Sequence, residues 1–493
     1  MNDATPQHDP SPSPVLDRAS VIRIIFGVML AMFLAALDQT IVATALPTIG
    51  SDLNDVTHLS WVVTAYLLSS TAVTPLYGKF ADIYGRRRML LTSISVFIVG
   101  SIACAMAPTM VVLVAARFLQ GLGGGGLIAL AQTIIGDIIP PRERMRYQAY
   151  FASVFLTASV LGPVLGGVFA EKLHWSFIFW INLPLGAMAL VMTYGVLRRL
   201  PRVERRHKLD VLGAVLMAVA SIGLLLALSW GGSTYPWSSP QIIGVLALSV
   251  VAWGLFVARL LTAAEPFVPL AVLSNRVVGT GTVANFFIMG TMVALSIYVP
   301  VYFEVVQGLS ASHSGLALIA LMGGTVTGAQ IAGRVMAWTT HYKRGPKVGV
   351  VLSIVSAALL AFFSPTLPLW GVEVLLACTG LGIGTVFPVT TVAIQNAVEP
   401  HQLGTATATF NFFRSLGSAI LVAGAGAIFL GALGLGGGAV GSLQELIAEA
   451  SANGTPIAPI FGMIFGAASV TLAIGFVVFL FMPERPLRGR SGG

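Results

Sequence analysis

The 493-residue sequence predicts an all-α polytopic membrane protein with fourteen transmembrane helices, two six-helix halves with a helix pair inserted between them. Three observations carry that prediction. Hydrophobic residues make up 56% of the chain and charged residues only 9%, where a soluble domain carries about 25%. The apolar residues fall into runs of about 18 to 28, enough for a helix to cross a hydrocarbon layer of about 30 Å. Lysines and arginines gather in alternate gaps between those runs, as they do in cytoplasmic loops.

Taken in order, residues 1–20 are rich in Pro, Ser and Asp and lack the basic start of a cleaved signal, so they read as a disordered cytoplasmic tail before an uncleaved first span. The expected spans are 21–46, 59–77, 89–107, 109–139, 147–171, 176–198, 210–230, 240–262, 277–303, 311–337, 347–365, 368–397, 404–431 and 459–481. They divide into an N-terminal bundle (21–200), an inserted pair with its basic cytoplasmic loop (201–265), a C-terminal bundle (266–482) with an outer loop at 432–458, and a tail (483–493). The outer loop is glycine-rich, with Glu445 and Glu449 in a helical-looking Ser442 to Ala452 stretch.

Charge placement tests the map. Of 27 Lys and Arg, 24 fall on the side of the N-terminus, Lys172 alone falls outside, and Arg117 and Arg414 lie within spans. Both termini are therefore expected in the cytoplasm, and the net charge of +8 follows membrane topology rather than nucleic-acid binding. Cys104 and Cys378 lie in apolar segments, which argues against a disulfide framework or a thiolate metal site. No Gly-x-x-x-x-Gly-Lys-Ser/Thr loop for ATP is present, and no metal or cofactor is expected.

Two features repeat. Gly121-Leu122-Gly123 in the fourth span returns as Gly380-Leu381-Gly382 in the twelfth, 259 residues on, and Gly78 before one basic loop returns as Gly333-Arg334 before another, 255 residues on. Parallel halves of this kind place a substrate path between them near mid-membrane.

Four stretches carry chemistry. The first is Leu37-Asp38-Gln39-Thr40, whose acid lies about fifteen residues past Arg23 and so about 22 Å along a helix, well inside the hydrocarbon. An aspartate there costs about 2.5 to 3.5 kcal/mol and usually has a function. The second is Arg117-Phe118-Leu119-Gln120. Arg117 lies nine residues after Pro108 and Asp38 nine before Pro47, so both sit about 13 Å below the outer ends of their helices. Pairing with an arginine favours the charged carboxylate and burial favours the neutral acid; proton binding and release can exploit that competition, although a static pair that fixes packing would have the same spacing. The third is Ala158 to Gly167, where Gly162-Pro163 and Gly166-Gly167 predict a kinked helix that packs closely. The fourth is the loop Gly78 to Arg88, in which Gly78 permits close helix approach, Gly85 a tight turn, and Asp82 can cap a helix or pair with Arg86 and Arg87.

These stretches resemble known motifs. Gly78-Lys79-Phe80-Ala81-Asp82-Ile83-Tyr84-Gly85-Arg86-Arg87-Arg88 resembles the signature cytoplasmic loop of the major facilitator superfamily, from which Phe80 and Ile83 depart. The Arg117 stretch is similar to the family's membrane arginine motif, implicated in proton transfer. The Gly162-Pro163 stretch resembles the motif that marks its antiporters, with Ala158 in place of the first glycine. Leu37-Asp38 through Leu46-Pro47, Ile181-Asn182-Leu183-Pro184 and Asn411-Phe412-Phe413-Arg414 look like those of fourteen-span drug:proton antiporters, with Ser176 where an arginine is frequent.

The resemblance implies a major facilitator fold in the cell (inner) membrane, acting as a monomer among lipids to export small amphipathic compounds in exchange for protons. Asp38 and Arg117 would carry the proton and the Gly78 loop would gate the cytoplasmic side. Arg414, Asn285, Phe286, Phe410 and Asn411 are the candidate cavity residues, with Trp61, Tyr66, Phe287, Tyr298, Phe387 and Phe412 as further aromatics. Arg414 can face the cavity and attract anionic groups, or bind backbone carbonyls. Glu304 is an outer acid, either a gate or a solvated rim charge, and the outer loop is where a periplasmic adaptor can touch. A same-fold metabolite exporter, an importer, and a receptor or scaffold are the alternatives; a membrane enzyme is disfavoured because no His, Asp, Ser or metal cluster stands out.

Overall fold

The computed structural model describes residues 18–487 apart from 56–57, 197–209, 233, 264, 310, 339–340 and 434–456. Residues 1–17, the whole basic run Arg198 to Lys208 and the Ser442 to Ala452 stretch thus lie outside the described residues. Fourteen long helices follow in order: α1 (Arg18–Asp52), α2 (Leu59–Tyr84), α3 (Arg86–Ala105), α4 (Met110–Ile138), α5 (Pro141–Lys172), α6 (Asn182–Val196), α7 (Val211–Trp230), α8 (Pro240–Thr262), α9 (Arg276–Val305), α10 (Ala311–Trp338), α11 (Arg344–Phe363), α12 (Leu369–Ala397), α13 (Leu403–Ala432) and α14 (Ala458–Leu480).

Helix ends follow local chemistry. The Thr109 side chain accepts from the Val112 amide to start α4, Ser239 does the same for α8, and Pro141 opens α5, where its missing N–H costs nothing. The arginines expected in a loop after α2 are instead the first turn of α3. Only Gly85 separates the two helices, at φ +91°, a conformation natural to glycine.

Among the described residues, twelve helices contain a stretch long and apolar enough to cross a membrane. The other two long helices, α2 and α10, have 26 and 28 residues. Each packs on three neighbours: α2 on α4, α7 and α13, and α10 on α5, α9 and α12. Helix–helix interfaces in membranes favour small and hydroxyl residues, and α2 carries Ser69, Ser70, Thr71 and Thr74 where α10 carries Gly323, Gly324, Thr325 and Gly328.

A packing pattern recurs. In the first six helices α1 meets α5 and α6, while α4 meets α2 and α3; in the last six α9 meets α13 and α14, while α12 meets α10 and α11. The two groups touch through α2 on α13 and α5 on α10. Helices α7 and α8 pack on one another, with the Ser249 hydroxyl donating to the Ala220 carbonyl at 2.7 Å, and α7 also lies against α2 and α13.

Candidate functional site

Asp38 has no exposed surface and Arg117 is 1% exposed. A buried carboxylate is tolerated only when paired and hydrogen-bonded, and both of its oxygens are occupied. Oδ2 accepts from Arg117 Nη1 at 2.6 Å. Oδ1 accepts from Gln120 Nε2 at 2.8 Å and from Asn182 Nδ2 at 3.0 Å. Arg117 also donates from Nε to the Val62 carbonyl at 2.9 Å and from Nη1 to Gln120 Oε1 at 2.6 Å, and its guanidinium lies 4.4 Å from the centre of the Tyr66 ring. Both amides donate to Ser101 Oγ, at 2.8 and 3.2 Å. Five helices, α1, α2, α3, α4 and α6, thus converge on one carboxylate.

The structure brings together the two residues that share a depth in the sequence and adds three others. Gln120 was within reach of sequence reasoning, because it lies three residues after Arg117 and so on the same helix face. Asn182 stands in the Ile181-Asn182-Leu183-Pro184 run. Ser101, one hydroxyl in an apolar span, gave no signal.

Tyr66 borders both this network and a cavity of about 420 Å³. Gln39, next to Asp38 in sequence, also lines it, as do Thr71, Ser229, Asn411 and Arg414. Of the five candidate cavity residues only Arg414 and Asn411 reach it. Asn285 is buried inside the bundle, donating to Thr390 Oγ1 at 2.5 Å; Phe286 packs on Phe287 and against Gly417; Phe410 stacks on Phe387 with ring centres 5.9 Å apart. On α9 the cause is depth, because Val293 and Ile297 line the cavity about two turns beyond Phe286; on α13 it is the helix face, because Asn411, Arg414, Ser415 and Ser418 line it and Phe410 is turned about 100° away from Asn411. Among the other aromatics named from sequence, Trp61, Phe287, Tyr298, Phe387 and Phe412 do not line it. Glu304 is half-buried near the end of α9 and is not in the wall either. Helix α7 contributes Leu225, Leu228 and Ser229, so this helix outside the two six-helix groups is part of the cavity wall.

At one end of the molecule α2 is tied to α13. Asp82 accepts from the Gly404 amide at 3.1 Å and from the Thr405 amide and hydroxyl at 2.7 and 2.6 Å, and it pairs with Arg86. A carboxylate here satisfies orphan amides at the positive end of α13. Arg86 Nε also donates to Asp137 at 2.9 Å, and Arg87 lies over the Tyr194 ring at 4.7 Å. Gly78 permits this contact: a β-carbon there would come within 2.6 Å of the Gly404 carbonyl oxygen and would clash with Ala408.

On α5, Ala158, Gly162 and Gly166 are spaced by four and form one ridge facing α1. Thr40 Oγ1 donates to the Ala158 carbonyl at 2.9 Å, and β-carbons at Gly162 and Gly166 would clash with Thr40 and Thr44. A β-carbon at Gly167 would meet nothing within 4 Å. Gly162→Ala is therefore expected to destabilise the purified protein by about 1–3 kcal/mol, the usual cost of overpacking, and Gly167→Ala by less than about 0.5 kcal/mol. Thermal melting in detergent checks the difference; equal melting of the two variants would rule out this ridge.

The model of the major facilitator superfamily matches residues 28–422. The chain is 34% identical over 401 residues to Multidrug resistance protein 3 of Bacillus subtilis (strain 168), covering 81% of this chain and 78% of that protein. It is 34% identical over 411 residues to Multidrug transporter protein MdtP of the same organism, covering 82% and 74%, and 35% identical over 435 residues to the efflux pump FUS6 of Gibberella fujikuroi, covering 85% and 77%. Among solved structures, the proton:xylose symporter XylE matches in fold with a TM-score of 0.62 at 13% identity, covering 96% of this chain and 98% of that one.

Proposed function

The chain belongs to the major facilitator superfamily, and from that premise we propose that this multi-pass membrane transporter exports small amphipathic molecules in exchange for protons. The observation that carries the reading is the fully buried Asp38, held by Arg117, Gln120 and Asn182 and separated from the cavity by a side chain, Tyr66, that borders both. The names of the relatives supply the substrate class and direction.

In the proposed cycle all fourteen long helices cross the cell membrane, the Asp82 end is cytoplasmic, and both termini lie on that side. Protonation of Asp38 removes the charge that holds Arg117, whose guanidinium rests on Tyr66. A shift of Arg117 is felt at the cavity wall, and a ligand that displaces Tyr66 is felt at the carboxylate, which is the reciprocity that coupling requires. The moving parts are the two six-helix groups, which meet through α2 on α13 and α5 on α10, a pairing expected of halves related by a two-fold axis. The Asp82 tie to α13 must break for the cavity to open to the cytoplasm.

Uptake of fluorescent amphipaths by inverted membrane vesicles tests this. Respiration acidifies the vesicle interior, so accumulation should depend on the protein and should disappear when an uncoupler is added. Accumulation that an uncoupler leaves intact would refute proton coupling.

A further inference from the structure

The cavity has a charge imbalance. Among the described residues its wall contains Arg414 but no Asp or Glu. The acid nearest in sequence to any wall residue is Asp38, which is fully buried and already paired with Arg117. Arg414 forms no ion pair among the described residues; its buried Nε has no hydrogen-bond partner, and its guanidinium lies 5.6 Å from the Phe387 ring centre. An arginine in a largely apolar membrane site is normally paired with an acid or with backbone carbonyls, and here neither is present. Asn411 Nδ2 already donates to Gln132 Oε1 at 2.7 Å across to α4, and Ser418 Oγ to the Arg414 carbonyl at 3.0 Å, so both leave the guanidinium fork unopposed. The rest of the wall alternates hydroxyl side chains, such as Thr71 and Ser415, with apolar ones, such as Leu228 and Ile297. That is the lining of a site for an apolar body with one polar end.

We propose that this cavity binds amphipathic organic anions, with Arg414 holding the carboxylate or other anionic group. The inference deepens the export reading, on which it rests for the cavity being the transport site. A guanidinium presents a planar fork of donors that matches a carboxylate, and the ligand would supply the acid that the protein leaves out. Arg414 is then a specificity residue: it favours anions and repels the cationic dyes that a cavity acid would attract.

The test compares two probes on one fluorophore, dansyl-6-aminohexanoate and dansylcadaverine, titrated at equilibrium into purified full-length protein in detergent. The carboxylate probe should bind the wild type more tightly than the amine. Arg414→Gln should weaken the carboxylate probe by about tenfold or more, the loss of a charge-assisted contact worth about 1.4 kcal/mol, and should leave the amine unchanged or tighter. Arg414→Lys should recover most of the carboxylate affinity. Tighter binding of the amine to the wild type, no saturable carboxylate binding, or equal carboxylate binding by Arg414→Gln and wild type would overturn the proposal. The wild-type preference decides even where the Gln variant does not fold. Displacement of the carboxylate probe by phosphatidylglycerol at lower concentration would assign the site to a lipid headgroup and also overturn it. Because no proton gradient is present, failure of proton coupling leaves this result intact, and a cationic preference leaves proton coupling intact.

Discussion

Asp38→Asn is expected to lower gradient-driven accumulation in inverted vesicles on the order of 100-fold, the upper range of a coupling free energy of about 3 kcal/mol. The amide keeps the shape of the carboxylate and can still accept from Gln120 and Asn182, but it carries no charge and takes up no proton. It also leaves Arg117 as a buried cation without its acid, a situation that costs about 3–5 kcal/mol, so the single variant should also melt at lower temperature. A second substitution separates the two effects. Asp38→Asn combined with Arg117→Gln removes both charges, and it should recover much of the lost melting temperature without recovering uphill transport. If the neutral pair restores both, Asp38 and Arg117 are a packing device and the coupling role is wrong. Dansyl probe binding, measured on the same samples, shows whether the cavity has survived.

Asp82→Ala should weaken the closure of α2 on α13. The carboxylate accepts three hydrogen bonds from Gly404 and Thr405 and pairs with Arg86. Hydrogen bonds to a charged group contribute about 1.5–3 kcal/mol each, so their loss moves the equilibrium between closed and open forms by several kcal/mol. The readout is labelling of Thr407→Cys, a position 1% exposed just inside this contact, by a membrane-impermeant maleimide applied from the side of the Asp82 contact. Labelling should rise by about tenfold or more when Asp82 is replaced. Unchanged labelling would mean that the tie does not govern closure. Gly78→Leu, which drives a side chain against Gly404 and Ala408, should open the same end by a different route.

The parts of this molecule that were legible in the sequence are those where one residue violates its surroundings. Asp38 and Arg117 are charges in apolar runs, and two equal counts from two prolines placed them at one depth. The ridge of Ala158, Gly162 and Gly166 was legible as a set of missing side chains, although Gly167 belonged to the motif and not to the ridge. The cavity was not legible, because its lining depends on how far α9 and α13 slide along their neighbours. Asn285 and Phe286 are on the right helix but about two turns too deep, and Phe410 is at the right depth but on the wrong face of its helix. The share of the wall taken by α7 follows from an inter-helix contact that no local pattern records.

Asp38 is sealed. No surface of it reaches the cavity, and Tyr66 stands between. On the proposed mechanism an exporter with no cargo aboard therefore offers protons no wire through the membrane, because the acceptor is reached only after the helices around it have moved. Such a protein can stay in an energised membrane continuously without short-circuiting it. Leakage would come from variants that loosen this seal, Tyr66→Ala first among them, and would show as a proton current in the absence of any substrate.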